Sequence, residues 1–286
     1  MSWVNYHTHC NFCDGEGNPE KYAEEAIKNH GYALGFSSHA PFLYETKWAM
    51  KHDKLGEYIG TINQFKKTYG NKIDINLGLE IDYIPGVIGP SDFKDNTDLD
   101  YIIGAIHFIS QYPDGKYWGI DGAKEEFAKG LEIIFNNDIK KTVKAYYDLV
   151  QQMILKDKPD IIGHIDIIKK NNKGNYFFSE EEEWYRNNVL ETLQYVKDSG
   201  CIVEINTRGV TTKRTDTLYP SVWILEEMYK MDIPVTISSD AHKPEEVYAY
   251  FNQTAIILKS IGFKSIYALK NRKWMPFKFS ENGLLT

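Results

Sequence analysis

The chain has 286 residues, with 33 Lys or Arg and 40 Asp or Glu, and its formal net charge at pH 7 is -7. This balance excludes the strongly basic nucleic-acid-binding proteins, so we expect a small-molecule substrate and no nucleic acid. We also expect no leader and no membrane partner, because no apolar run approaches the roughly 20 residues that cross a bilayer. Three cysteines do not suit a secreted disulfide framework. We therefore expect a cytoplasmic protein.

Short apolar and β-branched runs alternate with helical patterns along the chain. The runs that predict strands are residues 3–10, 33–38, 73–79, 101–106, 160–163, 201–203 and 234–239. The patterns that predict helices are residues 19–29, 54–69, 124–156 with a break at 136–138, 179–200 and 244–260. Ser179 and Glu182 have the spacing of a capping box, which opens the fourth helix. Seven strand-then-helix units predict a parallel sheet closed into a barrel, and without an evident linker we expect residues 1–286 to form one domain.

Side chains that bind metals stand where the predicted strands end. His7 and His9 are two residues apart on one strand, so their imidazoles project to the same face. The complete set is His7, His9, His39, Glu80, His107, His164, Asp240 and His242, with Asp14 in the loop after the first strand. In a barrel of alternating strands and helices these strand ends meet at one face, so we expect one site.

The type and number of these side chains predict the metals. Imidazole and carboxylate ligands together favour Zn, Mn or Fe over Ca or Mg. Nine side chains, with Glu80 shared between two ions, suit three ions of about four ligands each better than one ion, if a shared hydroxide supplies the remainder. Such a hydroxide is a nucleophile at neutral pH, because bound cations lower the pKa of water. We therefore predict three divalent ions.

Short motifs around these residues occur in a fixed order. They are His7-x-His9, Asp14-Gly15, Ser38-His39-Ala40-Pro41, Gly78-Leu79-Glu80, His107-Phe108, Gly163-His164-x-Asp166, Glu204-x-Asn206-Thr207 and Ser239-Asp240-Ala241-His242. The series resembles that of the polymerase and histidinol phosphatase (PHP) superfamily, and within it the monofunctional histidinol-phosphate phosphatases. The resemblance implies an α/β fold, a distorted seven-stranded (β/α)7 barrel. It also implies hydrolysis of L-histidinol phosphate to L-histidinol and phosphate in histidine biosynthesis.

The resemblance further implies how three ions divide the ligands. The first ion would be held by His7, His9, Glu80 and Asp240, the second by Glu80, His107 and His164, and the third by Asp14, His39 and His242. Some relatives carry histidine where Asp14 stands. A hydroxide shared by the ions would attack phosphorus in line. Asp14, His242 or a metal-bound water would then protonate the leaving alkoxide.

Other residues near the strand ends are candidates for binding the substrate. Arg208 and Arg214 follow the sixth strand, where a guanidinium can hold a phosphate through two parallel hydrogen bonds. Arg208 would also offset charge during the reaction. Tyr117 and Trp118 belong to an aromatic loop after His107, and we expect that loop to wall the imidazole of the substrate.

Further carboxylates and thiols near the ligands have more than one interpretation. Glu204 ends a strand but is no ligand in the PHP pattern, so we expect it to orient a histidine. Asp82 and Asp166, two residues beyond ligands, either orient a histidine or bind the substrate ammonium. Cys10 and Cys13 are interpreted as loop packing, although a redox pair or thiolate ligands would have the same spacing.

Three alternative functions share parts of this pattern. A PHP phosphoesterase acting on nucleotides, short oligonucleotides or phosphotyrosyl protein would have the same ligands, but the acidic balance disfavours nucleic acid. An amidohydrolase would share the barrel and the His-x-His motif, but it would bridge two ions with a lysine where this chain has Glu80. A metal-loaded regulatory domain would tolerate loss of ligands, and none is missing here.

Overall fold

The computed structural model describes residues 2–42, 44, 46–95 and 98–285. Residues 1, 43, 45, 96, 97 and 286, which the expected single domain includes, lie outside the described residues. The strands are β1 (Val4–Asn5), β2 (Ala33–Phe36), β3 (Asp74–Asp82), β4 (Tyr101–Ala105), β5 (Phe108–Gln111), β6 (Tyr117–Gly119), β7 (Ile161–Ile162), β8 (Ile202–Asn206), β9 (Val235–Ser238), β10 (Ser265–Lys270), β11 (Lys273–Ser280) and β12 (Gly283–Leu284).

Helices follow most of the strands. The α-helices are α1 (Pro19–Lys28), α2 (Leu55–Tyr69), α3 (Ser91–Lys94), α4 (Lys124–Phe135), α5 (Ile139–Lys156), α6 (Glu183–Ser199), α7 (Arg208–Thr211), α8 (Val222–Lys230) and α9 (Phe251–Ile261). Short 3₁₀ helices cover His52–Lys54, Ile167–Lys169 and Pro244–Glu246. Among the described residues, no helix is both long and apolar enough to cross a bilayer.

Seven strands form one parallel sheet in the order β1-β2-β3-β4-β7-β8-β9. The two edges of this sheet meet, because the amide of His9 donates to the carbonyl of Ala241 at 2.8 Å and Thr8 pairs with Ala241 in parallel. Asn5 links the same edges: its Nδ2 donates to Ser239 Oγ at 2.7 Å and its Oδ1 accepts from the amide of Ser239 at 3.2 Å. The predicted seven-stranded barrel is confirmed.

Tyr101 fills the barrel interior because two neighbouring strands carry glycine beside it. A Cβ on Gly35 or Gly78 would lie within 2.4 Å of the Tyr101 ring or hydroxyl. The single proton of the Tyr101 hydroxyl is shared between the carbonyl of Tyr6, just after β1, at 2.5 Å and the carbonyl of Phe36, on β2, at 3.2 Å. Helices cover the outer faces of the strands, so β2, β4 and β8 are buried along their whole length.

The predicted break at residues 136–138 is confirmed and separates α4 from α5. Asn136 ends α4 in the left-handed conformation with φ 50°, and Asp138 begins α5 by accepting a hydrogen bond from the amide of Lys141. The expected helix over residues 244–260 is wrong, because Tyr250 has φ 67° and α9 begins only after it. Helix α6 begins at Glu183 rather than at Ser179, whose Oγ accepts from the amide of Glu181 in a turn.

Two antiparallel sheets, β5-β6 and β10-β11-β12, were not predicted. The aromatic loop after His107 is an antiparallel pair of β5 and β6, with a register shift between Phe108 and Ser110. The C-terminal strands β10 and β11 also pair antiparallel. They pack on the N-terminal segment, where the Tyr6 hydroxyl accepts from the amide of Leu269 at 2.8 Å and its ring lies 4.9 Å from that of Trp274.

Candidate metal centre

The nine predicted ligands converge at the C-terminal ends of the barrel strands. Three groups of side chains can each bring their donor atoms within 4.8 Å of one another: His7, His9 and Asp240; Glu80, His107 and His164; and His9, Asp14, His39 and His242. A fourth such group joins His39, Asp82 and His107. The structure therefore brings all nine residues together, in groups similar to those that the PHP pattern implies.

The first group is positioned where the sheet closes. His7 and His9 project to the same face because Thr8 between them takes part in the bridge to Ala241, and their Nε2 atoms lie 3.1 Å apart. Asp240, just beyond β9, adopts the left-handed conformation with φ 50°. Its Oδ1 lies 3.3 Å from His9 Nε2 and 3.8 Å from His7 Nε2.

Glu80 lies at the centre of the cluster and uses both carboxylate oxygens. Oε1 lies 3.0 Å from His164 Nε2 and 3.8 Å from His107 Nε2. Oε2 faces a different set of histidines, at 3.3 Å from His7 Nε2, 3.4 Å from His9 Nε2 and 3.0 Å from His39 Nδ1. The side chain is 2% exposed. One carboxylate thus faces two histidine groups through separate oxygens, which suits a ligand shared by two cations.

Hydrogen bonds behind the cluster set the tautomers of three histidines. His7 Nδ1 lies 2.7 Å from Glu204 Oε2, and His107 Nδ1 lies 2.9 Å from Asp82 Oδ1. His242 Nδ1 lies 3.0 Å from the carbonyl oxygen of Asp240. An ionised carboxylate and a carbonyl only accept, so in each case the proton is on Nδ1 and the lone pair of Nε2 points into the cluster.

This arrangement fits divalent cations. The Nε2 of His7 faces the Nε2 of His9 and the Oε2 of Glu80, and such electron-rich atoms repel one another unless a proton or a metal cation lies between them. The buried Nδ1 of His164 has no hydrogen-bond partner among the described residues. Imidazole and carboxylate donors without thiolate are typical of Zn, Mn or Fe sites. We conclude that the cluster can hold metal ions.

The charges of the cluster favour metal binding. Burial together with the neighbouring His242 and His39 lowers the pKa of His9 to about 3, so this imidazole is neutral and able to ligate. Burial lowers the pKa of His107, but the Asp82 carboxylate outweighs it and raises this pKa to about 10, so this ring must release its Nε2 proton when it binds a cation. Burial also raises the pKa of Glu80, yet the surrounding histidines hold it well below its usual range, so this carboxylate is ionised.

The two cysteines near the cluster are protonated. Burial raises the pKa of Cys10 to about 11 and that of Cys13 to about 12. Cys10 Sγ lies 3.3 Å from Ser38 Oγ, and Cys13 Sγ lies 3.4 Å from His9 Nδ1. Since the thiolate is the reactive and ligating form, these contacts agree with loop packing rather than redox chemistry.

Asp14 lies at the rim of the cluster. Its Oδ1 is 3.3 Å from His242 Nε2 and 3.9 Å from His39 Nε2, and its side chain is 32% exposed. Burial raises the pKa of Asp14, but His242 and His39 outweigh it and hold this pKa far below its usual range. Asp14 is therefore an anion that faces both histidines and the solvent.

A cavity of about 1210 Å³ opens onto the cluster, and the predicted substrate residues lie around it. Arg208 is half-buried, and its Nη1 donates to the carbonyl of Asp240 at 2.8 Å. Arg214 is exposed and lines the same cavity. Tyr117 and Trp118 also line it, but Trp118 is only 1% exposed and donates its indole N–H to the carbonyl of Glu126.

The structure shows what each of the extra carboxylates contacts. Glu204 contacts His7 Nδ1, as its predicted orienting role requires. Asp82 likewise accepts from the His107 amide at 3.2 Å in addition to its ring contact, and so lies behind that histidine rather than on the cavity wall. Asp166 orients no ligand imidazole in the described structure and instead pairs with buried Lys169 at 2.7 Å.

Several cavity residues were given no role in the predicted site. Trp48 packs its ring edge-on against His39 at 4.8 Å, and Phe108 stacks on Phe42 at 5.6 Å. Asp121 and Lys170 line the cavity as an ion pair of 3.2 Å. None of these residues ends a barrel strand, so no strand-end pattern could have found them.

The PHP domain family matches residues 5–208, and this chain therefore belongs to that family. Among its relatives, the Deinococcus radiodurans protein named "Probable histidinol-phosphatase" is 29% identical over 277 residues, which cover 94% of this chain and 97% of that protein. The histidinol-phosphatase of Bacillus subtilis is 29% identical over 267 residues, with coverage of 85% and 95%.

A solved structure shows the same fold. It is the histidinol phosphate phosphatase of Lactococcus lactis, crystallised with Zn, L-histidinol and phosphate. The TM-score is 0.70 at 20% sequence identity, and the match covers 100% of this chain and 99% of that one. The seven-stranded PHP barrel is thus shared over the whole length.

Proposed function

We propose that this protein is a metal-dependent histidinol-phosphatase, which hydrolyses L-histidinol phosphate to L-histidinol and phosphate in histidine biosynthesis. The observation that carries the proposal is the convergence of nine donor side chains around Glu80 at the floor of a cavity that Arg208 also lines. Relatives that cover nearly the whole chain and are named as histidinol-phosphatases support this substrate.

The proposed centre holds three divalent ions. His7, His9, Glu80 and Asp240 would hold the first, Glu80, His107 and His164 the second, and Asp14, His39 and His242 the third. Bound ions would supply a nucleophilic hydroxide at neutral pH and would neutralise phosphate charge. The grouping of donor atoms supports this division, and Zn in the Lactococcus lactis protein supports a metal of this type.

The protein's own residues would bind and orient the ester. The Arg208 guanidinium uses Nη1 on the Asp240 carbonyl, which leaves its other N–H groups available for a phosphate oxygen. Arg214 would approach the phosphate from the mouth of the cavity. His242 and Asp14 face each other at the rim, where one of them can hold the proton that the leaving alcohol takes up.

We further propose that residues 1–286 act as one domain. The main hydrophobic core contains both Trp3 and Leu284, so the two ends of the chain pack into the same interior. An amidohydrolase is disfavoured, because Glu80 occupies the central position that a bridging lysine would need.

The test is phosphate release from L-histidinol phosphate compared with mononucleotides and phosphotyrosine, each with Zn and with Mn. We expect L-histidinol phosphate to give the highest kcat/KM by at least about 10-fold. Treatment with a chelator should abolish the activity, and re-addition of metal should restore it. Comparable rates across the panel would remove the substrate assignment and leave a general phosphatase, whereas no phosphate release would remove the phosphatase itself.

A further inference from the structure

Asp121 is an anion on the cavity wall that the proposed metal centre does not use. It belongs to none of the four groups that can hold a metal ion among the described residues. Its side chain is 34% exposed and lines the cavity. Burial raises the pKa of Asp121, but Lys170 and the nearby histidines His107 and His164 outweigh it and lower the pKa, so the carboxylate is ionised at neutral pH.

The backbone on both sides of Asp121 is held in place. The amide of Ile120 donates to the carbonyl of His107 at 2.9 Å. Asn171, which is 9% exposed, donates its Nδ2 to the carbonyls of Ile120 at 3.4 Å and Gly122 at 3.2 Å. A carboxylate fixed in this way keeps its position relative to the ligand His107.

Among the residues that the structure describes, only one oxygen of Asp121 has a partner. Oδ2 lies 3.2 Å from Lys170 Nζ, while Oδ1 accepts no hydrogen bond from any residue that the structure describes. Of the other cavity carboxylates outside the metal groups, Asp114 uses both oxygens on Lys116, at 3.2 Å from its Nζ and 3.1 Å from its amide, while the exposed Glu126 uses one oxygen, at 3.3 Å from the amide of Ala123. Asp121 is half-buried and offers a free acceptor oxygen on the cavity wall that also carries His107 and His164.

We infer that Asp121 binds the primary ammonium group of the substrate and so selects phosphate esters of 2-amino alcohols. This inference rests on the proposed function. In such an ester the amine is on the carbon next to the CH₂–O–P unit. When the phosphate is at the metal centre, the ammonium therefore lies within a few ångströms of that phosphate. The ammonium would donate a charge-assisted hydrogen bond to Oδ1 of Asp121, while Lys170 contacts Oδ2. Both oxygens of the carboxylate would then have a donor.

The test is Asp121→Asn, with kcat/KM measured on three esters. They are L-histidinol phosphate, the same molecule without its amine, and L-phenylalaninol phosphate, which keeps the amine but lacks the imidazole. We expect the variant to lose about 10- to 100-fold on both amine-bearing esters and less than about 3-fold on the deaminated ester. Asp114→Asn is the matched control, since Asp114 also lines the cavity but is mostly exposed, and should leave all three values unchanged.

Each other outcome overturns the inference. An equal loss on all three esters would make Asp121 a structural partner of Lys170. A loss only on the two imidazole-bearing esters would mean that Asp121 binds the imidazolium of the substrate. No loss on any ester would mean that Asp121 does not bind the substrate. Metal content measured on the variant separates these results from damage to the centre. If wild-type enzyme released phosphate from none of the esters, the proposed function itself would fail, whereas equal wild-type rates with and without the amine would overturn only the role of Asp121.

Discussion

His7 Nδ1 and Glu204 Oε2 are 2.7 Å apart, and both side chains are completely buried. This hydrogen bond holds the His7 proton on Nδ1, on the side of the ring away from the other predicted ligands. The other oxygen of Glu204 accepts from the backbone amide of His164 at 2.7 Å, so one carboxylate braces ligands from two strands.

Glu204→Ala is expected to weaken metal binding by about 10- to 100-fold, because His7 loses the partner that sets its tautomer and orientation. Metal affinity should be measured by competition with a chelator of known affinity. Glu181→Ala, at an exposed glutamate, is the control. Unchanged affinity in the Glu204 variant would show that His7 is positioned by other contacts.

Glu80→Ala is expected to lose at least two metal ions and nearly all activity, since both oxygens of Glu80 face histidine groups. Elemental analysis of the purified variant gives the metal content. Glu57→Ala, on the exposed face of α2, should keep the full complement. A full complement in Glu80→Ala would contradict the shared-ligand assignment.

Arg208→Ala is expected to lower kcat/KM by about 100-fold and to weaken inhibition by inorganic phosphate, because a bidentate contact to phosphate is lost. Steady-state kinetics with phosphate as inhibitor measure both effects. Arg186→Ala, in an ion pair on α6, controls for the loss of one positive charge. If phosphate inhibits the Arg208 variant as strongly as wild type, Arg208 does not bind the phosphate.

Gly130→Ala is expected to destabilise the protein by about 1–3 kcal/mol, because the added Cβ would lie 2.0 Å from the Trp118 ring. The ring would have to move, and with it the β5–β6 hairpin that walls the cavity. Gly60→Ala is the matched control: Gly60 is also in a helix, but a Cβ there meets nothing within 4 Å. The control should be stabilised by up to about 1 kcal/mol. Urea unfolding of both variants measures the difference, and equal stability would mean that Trp118 can shift freely.

The metal ligands were predictable because they follow from local sequence and one rule of topology. Apolar runs such as Ile161–Ile162 identify parallel strands that are covered on both faces, and the residue that ends each run must lie at the same end of the barrel. His164 and Asp240 are found in this way without knowledge of their neighbours. The break at Asn136 was predictable for a similar local reason, since asparagine tolerates the left-handed conformation there.

Other features depend on contacts between residues distant in sequence, which no local pattern encodes. Asp166 occupies a motif position equivalent to that of Asp82, yet it pairs with Lys169, while Asp82 contacts His107, which lies just beyond β4. Tyr250 interrupts the last predicted helix although its neighbours have helical periodicity.

The sequence alone determined the class of barrel, its seven strands and the donor types at the strand ends, because strand periodicity and strand-end position are local properties. Only the tertiary structure decided which oxygen of Glu80 faces which histidine, which carboxylates stand behind the ligands and which anion remains on the cavity wall. Asp121 is the clearest case. The position of Asp121 depends on contacts of Lys170 with its side chain and of Asn171 with the backbone after the β5–β6 hairpin. These residues are about 50 positions apart in sequence, so only tertiary packing brings them together.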